Sequence, residues 1–195
     1  MKLCFATNNP HKLQEVQAMV GKHIQLVSLK DIGCFDELPE EQTTLEGNSH
    51  QKAEYVFQKF HIPCFADDTG LEIEALQGAP GVDTAHYAGL HRSAEDNMNL
   101  VLKNLEGEQN RNAQFRTVIT LITNNLQRQF EGVVKGEITT EKRGTEGFGY
   151  NPIFIPEGYN RTMAEMSMEE KNKISHRARA IEQLAVYLKN NPSIL

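Results

Sequence analysis

Two adjacent acids, Asp67 and Asp68, stand out in the stretch Phe65-Ala-Asp-Asp-Thr-Gly-Leu71. The short apolar run Ile62–Ala66 before them predicts a buried strand, with the acids at its C-terminal end. Ligands of α/β sheets collect at the carboxyl ends of strands. In extended chain, neighbouring side chains face opposite ways, so one acid can face a ligand while the other braces the structure. Asp-Asp-Thr-Gly is also ordinary turn chemistry, and a capping turn is the alternative. Other groups carry matching chemistry. Lys12, Lys52 and Lys171 are cations, Glu40-Glu41 is a further acid pair, and His176-Arg177 lie side by side. Phe148 stands between two glycines, free to project. Acids repel a phosphate chain unless a cation lies between them. Mg²⁺ takes one or two carboxylates plus phosphate oxygens and waters. Lysines neutralise the remaining charge, and a ring with an Arg or His suits the face and keto edge of a base. Together these residues suit a nucleoside triphosphate held through carboxylate-bound magnesium.

These groups need elements to hold them. Leu3–Ala6 reads as a strand, Thr7-Asn-Asn-Pro10 as a turn, and His11–Val20 as a helix with Leu13, Val16, Met19 and Val20 at helical spacing. A helix N-terminus there offers N–H groups to a phosphate, although no GxxxxGK[ST] loop occurs. Ile24–Leu29 is a second strand, and Asp31–Gln42 an acidic loop. Leu45–Phe60 reads as a helix with Ala53, Val56, Phe57 and Phe60 inward. Lys52 beside Ala53 would ordinarily snorkel to the surface. Leu71–Leu76 reads as a strand, and Ser93 or Asp96 can start another helix. Gln114–Thr123 and Gln129–Thr139 read as an antiparallel pair, with Gly136 marking a bulge or bend. Ser167-Met-Glu-Glu170 is a capping box. At 100° per residue Lys171, His176 and Arg177 fall at about 0°, 140° and 240° on a straight helix. If all three serve one ligand, the helix must break, most simply with Ser175 as a new N-cap. One uninterrupted helix with solvated charges is the alternative.

The whole chain sets bounds. Its 195 residues suit one sizeable domain or two small lobes, with no linker long enough to separate domains. Apolar residues at 39% and charged ones at 24% give a globular composition. No run of 18 apolar residues suggests a membrane span, and no apolar N-terminal stretch a signal peptide. Three widely spaced cysteines without a CxxC pair fit a reduced, cytoplasmic protein and not a zinc site. The net charge of −6 argues against a nucleic-acid partner.

Four stretches carry a closer likeness: Ala6-Thr-Asn-Asn-Pro-His-Lys12, Ala66-Asp-Asp-Thr-Gly-Leu71, Gly147-Phe-Gly-Tyr-Asn-Pro-Ile-Phe154 and Glu170-Lys-Asn-Lys-Ile-Ser-His-Arg177. With Gly78-Ala-Pro-Gly-Val82 and Thr44…Asn48…Lys52-Ala53, in this order, the chain resembles the non-standard purine nucleoside triphosphate pyrophosphatases, the inosine/xanthosine triphosphatase family. The likeness runs from residue 2 to about 190. It implies an α/β fold of two lobes around a long, twisted mixed sheet, with helices on both sides, a central cleft and a homodimer. It implies Mg²⁺-dependent hydrolysis of inosine, deoxyinosine and xanthosine triphosphates to monophosphate and pyrophosphate. Thr7, Asn8, Asn9, Pro10, His11 and Lys12 would line the phosphate site. Asp68 would be general base and magnesium ligand, and Thr69 would touch substrate. Glu40 would be the second magnesium acid, with Glu41 as rival because Gln42-Thr43 departs from the usual Thr-Gly. Lys52 and Lys171 would hold phosphates, and Phe148, Gly149, Tyr150, Asn151, His176 and Arg177 the base. Asn151 stands where the family usually has Asp, and Asp83-Thr-Ala-His86 where Tyr-Ser-Ala-Arg is common. The related septum-associated nucleotide pyrophosphatases, acting on pyrimidine or modified nucleotides, are the alternative; a non-catalytic nucleotide-binding module is another.

Overall fold

The structure is a computed structural model that describes residues 2–8, 10–20 and 24–194. Six strands form one mixed sheet: β1 (Lys2–Phe5), β2 (Gln25–Val27), β3 (Cys64–Ile73), β4 (Asn112–Thr123), β5 (Leu126–Ile138) and β6 (Phe154–Pro156). Their order is β2-β1-β3-β4-β5-β6. β1 runs parallel to β2 and to β3. Parallel neighbours need long crossovers, and α1 (Pro10–Val20) and α2 (Leu45–Phe60) supply them. β4 and β5 form a hairpin across Asn124-Asn125, and β6 adds antiparallel to β5. The α/β class and mixed sheet match the expectation from sequence.

The chain groups into two compact units. The first comprises Met1–Asp68, Thr117–Gly132 and Arg179–Leu195. Period-2 alternation fixes both faces of its sheet. Leu3, Phe5 and Phe65 face Val16 and Val20 of α1 and Ala180, Ile181, Leu184 and Leu188 of α5 (His176–Asn190). The Phe5 and Phe65 rings stack at 4.5 Å. Cys4, Ala6, Cys64 and Ala66 face Ala53 and Val56 of α2 on the other side. Thr44 caps α2, its side chain accepting from the Gly47 N–H.

The second unit comprises Thr69–Arg116 and Val133–Ala178. Its core joins Leu71 and Ile73 to Met98 and Val101 of α3 (Ala94–Asn104), with Phe115, Val134, Ile138 and Phe154. Ser93 is the N-cap of α3. At Gly136, within β5, a Cβ would lie 2.1 Å from the Ile155 carbonyl, so β6 can approach only because that atom is missing.

One element differs from expectation. In place of a strand to Ala66, a turn, and a strand Leu71–Leu76, β3 runs unbroken for ten residues from Cys64 to Ile73. A 3₁₀ turn, Glu74–Leu76, follows it. The two acids therefore sit inside the strand and not at its end. An Asx turn needs the carboxylate to bond its own backbone. Here both carboxylates are taken by lysines from other elements, and the backbone stays extended.

Candidate active site

The pleat of β3 separates the two acids within the first unit. Asp67 lies on the Phe65 face, toward α1. Lys12, in the first turn of α1, donates to its Oδ1 at 3.2 Å and Oδ2 at 3.0 Å. Asp68 lies on the Ala66 face, toward α2. There the Lys52 Nζ is 3.2 Å from Asp68 Oδ1 and 2.6 Å from Glu40 Oε1. The two carboxylate oxygens are thus no more than 5.8 Å apart, the sum of those distances. Like charges that close need a cation between them, and Lys52 supplies it. Lys52 is only 8% exposed, so it does not snorkel to the surface.

Burial pushes the Asp68 carboxyl above the usual range. The Lys52 charge pulls it down, Glu40 pushes it up, and the net shift is upward. Burial works against the Lys52 charge, but Asp68 and then Glu40 outweigh that and raise its pKa. The other Asp68 oxygen, Oδ2, is buried without a hydrogen-bond partner. A buried acceptor without a donor is costly. An open oxygen on a carboxylate next to a second carboxylate is the donor set a hard divalent cation takes, so these residues fit magnesium. Among the described residues no group of three or more His, Cys, Asp or Glu could hold a metal ion, which leaves the remaining positions to water and ligand oxygens.

The adjacent glutamates differ in their partners. Glu41 exchanges hydrogen bonds with Gln51, accepting from its Nε2 at 3.3 Å and donating its N–H to Oε1 at 2.9 Å. Glu40 alone of the pair bonds the Lys52 ammonium. Asn48, one turn before Lys52, accepts the Gln42 N–H and so fixes this loop against α2.

The loop after β1 is pinned from the side. Thr7 accepts the Leu29 N–H on its carbonyl at 3.3 Å. Asn8 Oδ1 accepts the Lys30 N–H at 3.1 Å, so that side chain braces the loop. Asn9 lies outside the described residues, as do the side chains of Pro10 and His11.

The second unit holds the remaining groups. Phe148 is 81% exposed, between Gly147 and Gly149, both with positive φ. Tyr150 differs: it is buried in the core, its hydroxyl donates to the Thr84 carbonyl at 2.9 Å, and burial pushes its phenol pKa up. Its side chain is a core anchor, so only its backbone is left for a ligand. A Cβ on Gly147 would lie 2.2 Å from Asn151 Nδ2 and 3.2 Å from Lys171 Nζ. Both head groups occupy the space that this glycine leaves. α4 (Met168–Ile174) starts at the Ser167 capping box and stops at Ser175, whose backbone is extended. The Ser175 hydroxyl then accepts the Ala178 N–H at 3.2 Å and starts α5 at His176. The break expected from the angles of Lys171, His176 and Arg177 is present. The His176 ring stacks on Phe115 at 5.2 Å. Arg177 follows it in the first turn of α5, and Thr69 continues β3 beyond Asp68.

Two supports escaped the sequence reading. Phe115 carries the His176 ring, and the one signal for it in the sequence is that Phe115, Val118 and Thr120 do not alternate cleanly along their strand. The Lys12–Asp67 pair spans 55 residues, and no local pattern announces it.

The chain matches the Ham1 family model over residues 3–187. It is 54% identical to a dITP/XTP pyrophosphatase of Flavobacterium johnsoniae, over 94% of this chain and 96% of the relative. It is 50% identical to a dITP/XTP pyrophosphatase of Porphyromonas gingivalis, over 96% and 97%. Among solved structures it is similar to the Staphylococcus aureus Ham1 protein, with a TM-score of 0.94, 34% identity, and coverage of 98% of this chain and all of that one. A Mycobacterium abscessus nucleoside-triphosphatase / dITP/XTP pyrophosphatase gives a TM-score of 0.85 at 38% identity, over 94% and 98%. On sequence and on fold alike, the chain belongs to the Ham1 family.

Proposed function

We propose that the protein hydrolyses inosine, deoxyinosine and xanthosine triphosphates to nucleoside monophosphate and pyrophosphate, clearing deaminated purines from the nucleotide pool. The observation that carries this reading is the Glu40–Lys52–Asp68 cluster, with its buried, open carboxylate oxygen. The names of the relatives support the substrate class. In the first unit, Asp68 acts as general base: it takes a proton from a water as that water attacks phosphorus, and pyrophosphate leaves. A raised carboxyl pKa suits a base better than an ordinary one. Glu40 and Asp68 would hold Mg²⁺, which when bound supplies charge neutralisation at the phosphate oxygens. Lys12, Lys52 and the Thr7–His11 loop neutralise and position the phosphate chain, and the resemblance gives Lys171 a phosphate-binding role as well. General-base help is worth about 10²–10⁴-fold, so positioning and neutralisation supply most of the rate.

The second unit supplies base recognition: the exposed ring of Phe148, the Gly149–Asn151 backbone and amide, and the His176-Arg177 pair, with Thr69 also touching substrate. Donors aimed at a 6-keto oxygen reject the 6-amino group of adenine, because a site built for one hydrogen-bond pattern leaves polar groups unpaired with the other. Asn151 is neutral, so it can both donate and accept at the base edge. The reading carries with it one functional domain, a cytoplasmic setting and a homodimer; among the described residues no helix is long and apolar enough to cross a membrane.

The test is pyrophosphate release from ITP, dITP, XTP, ATP, GTP, dTTP and UTP, with Mg²⁺ and with chelator. Release confined to the inosine and xanthosine nucleotides, and abolished by chelator, is expected. A pyrimidine preference would move the chain to the septum-associated type, and no release would make it a binding module.

A further inference from the structure

Lys52 stands where a metal would be expected to find its ligands. Its ammonium bonds Glu40 at 2.6 Å and Asp68 at 3.2 Å, and only 8% of the residue is exposed. The Asp68 Oδ2 beside it is buried without a hydrogen bond of normal geometry, although the Asn48 side chain also bears on this carboxyl, and such a weakly satisfied buried acceptor is costly. The described residues hold no third acid, histidine or cysteine to complete a metal site. A divalent cation therefore finds two carboxylates at most, both already engaged by an ammonium. Two cations competing for the same two carboxylates at hydrogen-bond range repel each other strongly in a buried site.

We propose that Lys52 is a placeholder cation. Its ammonium holds the acid pair together until a phosphate chain offers it a third anionic partner, and only then are Glu40 and Asp68 released to a divalent cation. A lysine suits this task, because its charge sits on a flexible four-carbon stem and can swing between partners without moving α2. Metal binding and nucleotide binding are then coupled, and by linkage each strengthens the other by the same factor. Lys52 is thus a positioning residue for the acids before it is a phosphate ligand. The inference rests on the proposed function only for the identity of the phosphate-bearing ligand.

The test uses Mn²⁺ as probe and pyrophosphate as the phosphate ligand, with the full chain stripped of metal. Free Mn²⁺ is followed by electron paramagnetic resonance. The wild-type protein is expected to bind Mn²⁺ weakly alone and at least about tenfold more tightly with pyrophosphate, within the usual range of coupling between sites. Lys52→Met is expected to bind Mn²⁺ about tenfold more tightly without pyrophosphate, and to lose most of the pyrophosphate gain. Lys52→Gln, which keeps a donor without the charge, serves if the methionine variant fails to fold. Lys59→Met removes an equal charge from the same helix, where Lys59 pairs with Asp36, while leaving the acid pair occupied, and is expected to stay within about threefold of wild type; a larger gain would indicate a general field effect. The inference is overturned if wild-type Mn²⁺ affinity ignores pyrophosphate, if the Lys52 variants bind Mn²⁺ no more tightly, or if Lys59→Met matches them. Should no nucleotide yield pyrophosphate while the Mn²⁺ pattern holds, the enzymatic reading fails and this one stands; the converse result separates them equally well.

Discussion

Asp68 carries a charge that the fold itself disfavours. Burial lifts its pKa above the ordinary carboxylate value, with Lys52 only partly offsetting it. A group raised in this way contributes stability that is fully present below its unfolded pKa and is lost as pH rises through the folded one. Asp68→Asn removes that loss. In chelator, its melting temperature is expected to match or exceed that of the wild type, with the gap widening from about pH 4 to about pH 7. Its turnover should fall by at least about 10²-fold, the least a lost general base removes. Near-full activity would exclude Asp68 as the base, and a collapsed melting temperature would show that its charge supports the fold. Gly147 is the other residue whose chemistry is visible in isolation. Its φ of 97° suits glycine, and its missing Cβ makes room for Asn151 and Lys171. Gly147→Ala should raise KM by roughly 10- to 10²-fold, since a displacement of about 1 Å in a positioning group costs that much. If the clash with Asn151 is the cause, adding Asn151→Ala to Gly147→Ala should cost less than the two single effects summed. Strict additivity in steady-state kinetics would point to backbone strain alone.

At the scale of elements, what the sequence discloses depends on how local the cause is. The bounds of α2, Leu45–Phe60, follow from its apolar face and the Thr44 cap. The Ser167 capping box likewise announces α4 within a few residues. The break at Ser175 was legible for a different reason: three polar side chains could not share a face of one straight helix. β3 departs from the turn that its residues suggest because its cause is remote. Asp-Asp-Thr-Gly has local turn chemistry, and only Lys12 and Lys52, from two other elements, keep it extended. Tyr150 is similar, since a tyrosine beside an exposed phenylalanine looks like a ligand contact until its hydroxyl is found bonded to Thr84. Ser175→Ala tests the helix break. Loss of an N-cap costs about 1 kcal/mol, to be read from urea denaturation. KM should rise as well, because His176 and Arg177 open α5 directly after the cap. A stability loss with unchanged KM would mean that the break serves the fold and not the ligand.

For the molecule as a whole, the three cysteines report on the first unit. Cys4 and Cys64 are paired across β1 and β3, and Cys34 joins them in the same core cluster. All three are fully buried and free. Burial pushes the Cys4 thiol up to about 12 and that of Cys64 higher still. The thiolate is the reactive form, so neither exposure nor ionisation favours reaction in the native state. Composition alone suggested only a reduced protein without a zinc site. The fold adds that the thiols behave as small apolar side chains on the α2 face of the sheet. Their alkylation therefore measures the opening of that face. Native protein is expected to take up almost no iodoacetamide at neutral pH, and three equivalents in denaturant. Labelling at denaturant concentrations below the global transition would show that the first unit opens separately. Labelling that coincides with loss of helical circular dichroism would show the whole chain unfolding as one cooperative body. One transition is the expected result, because β3, β4, β5 and α5 each run through both units.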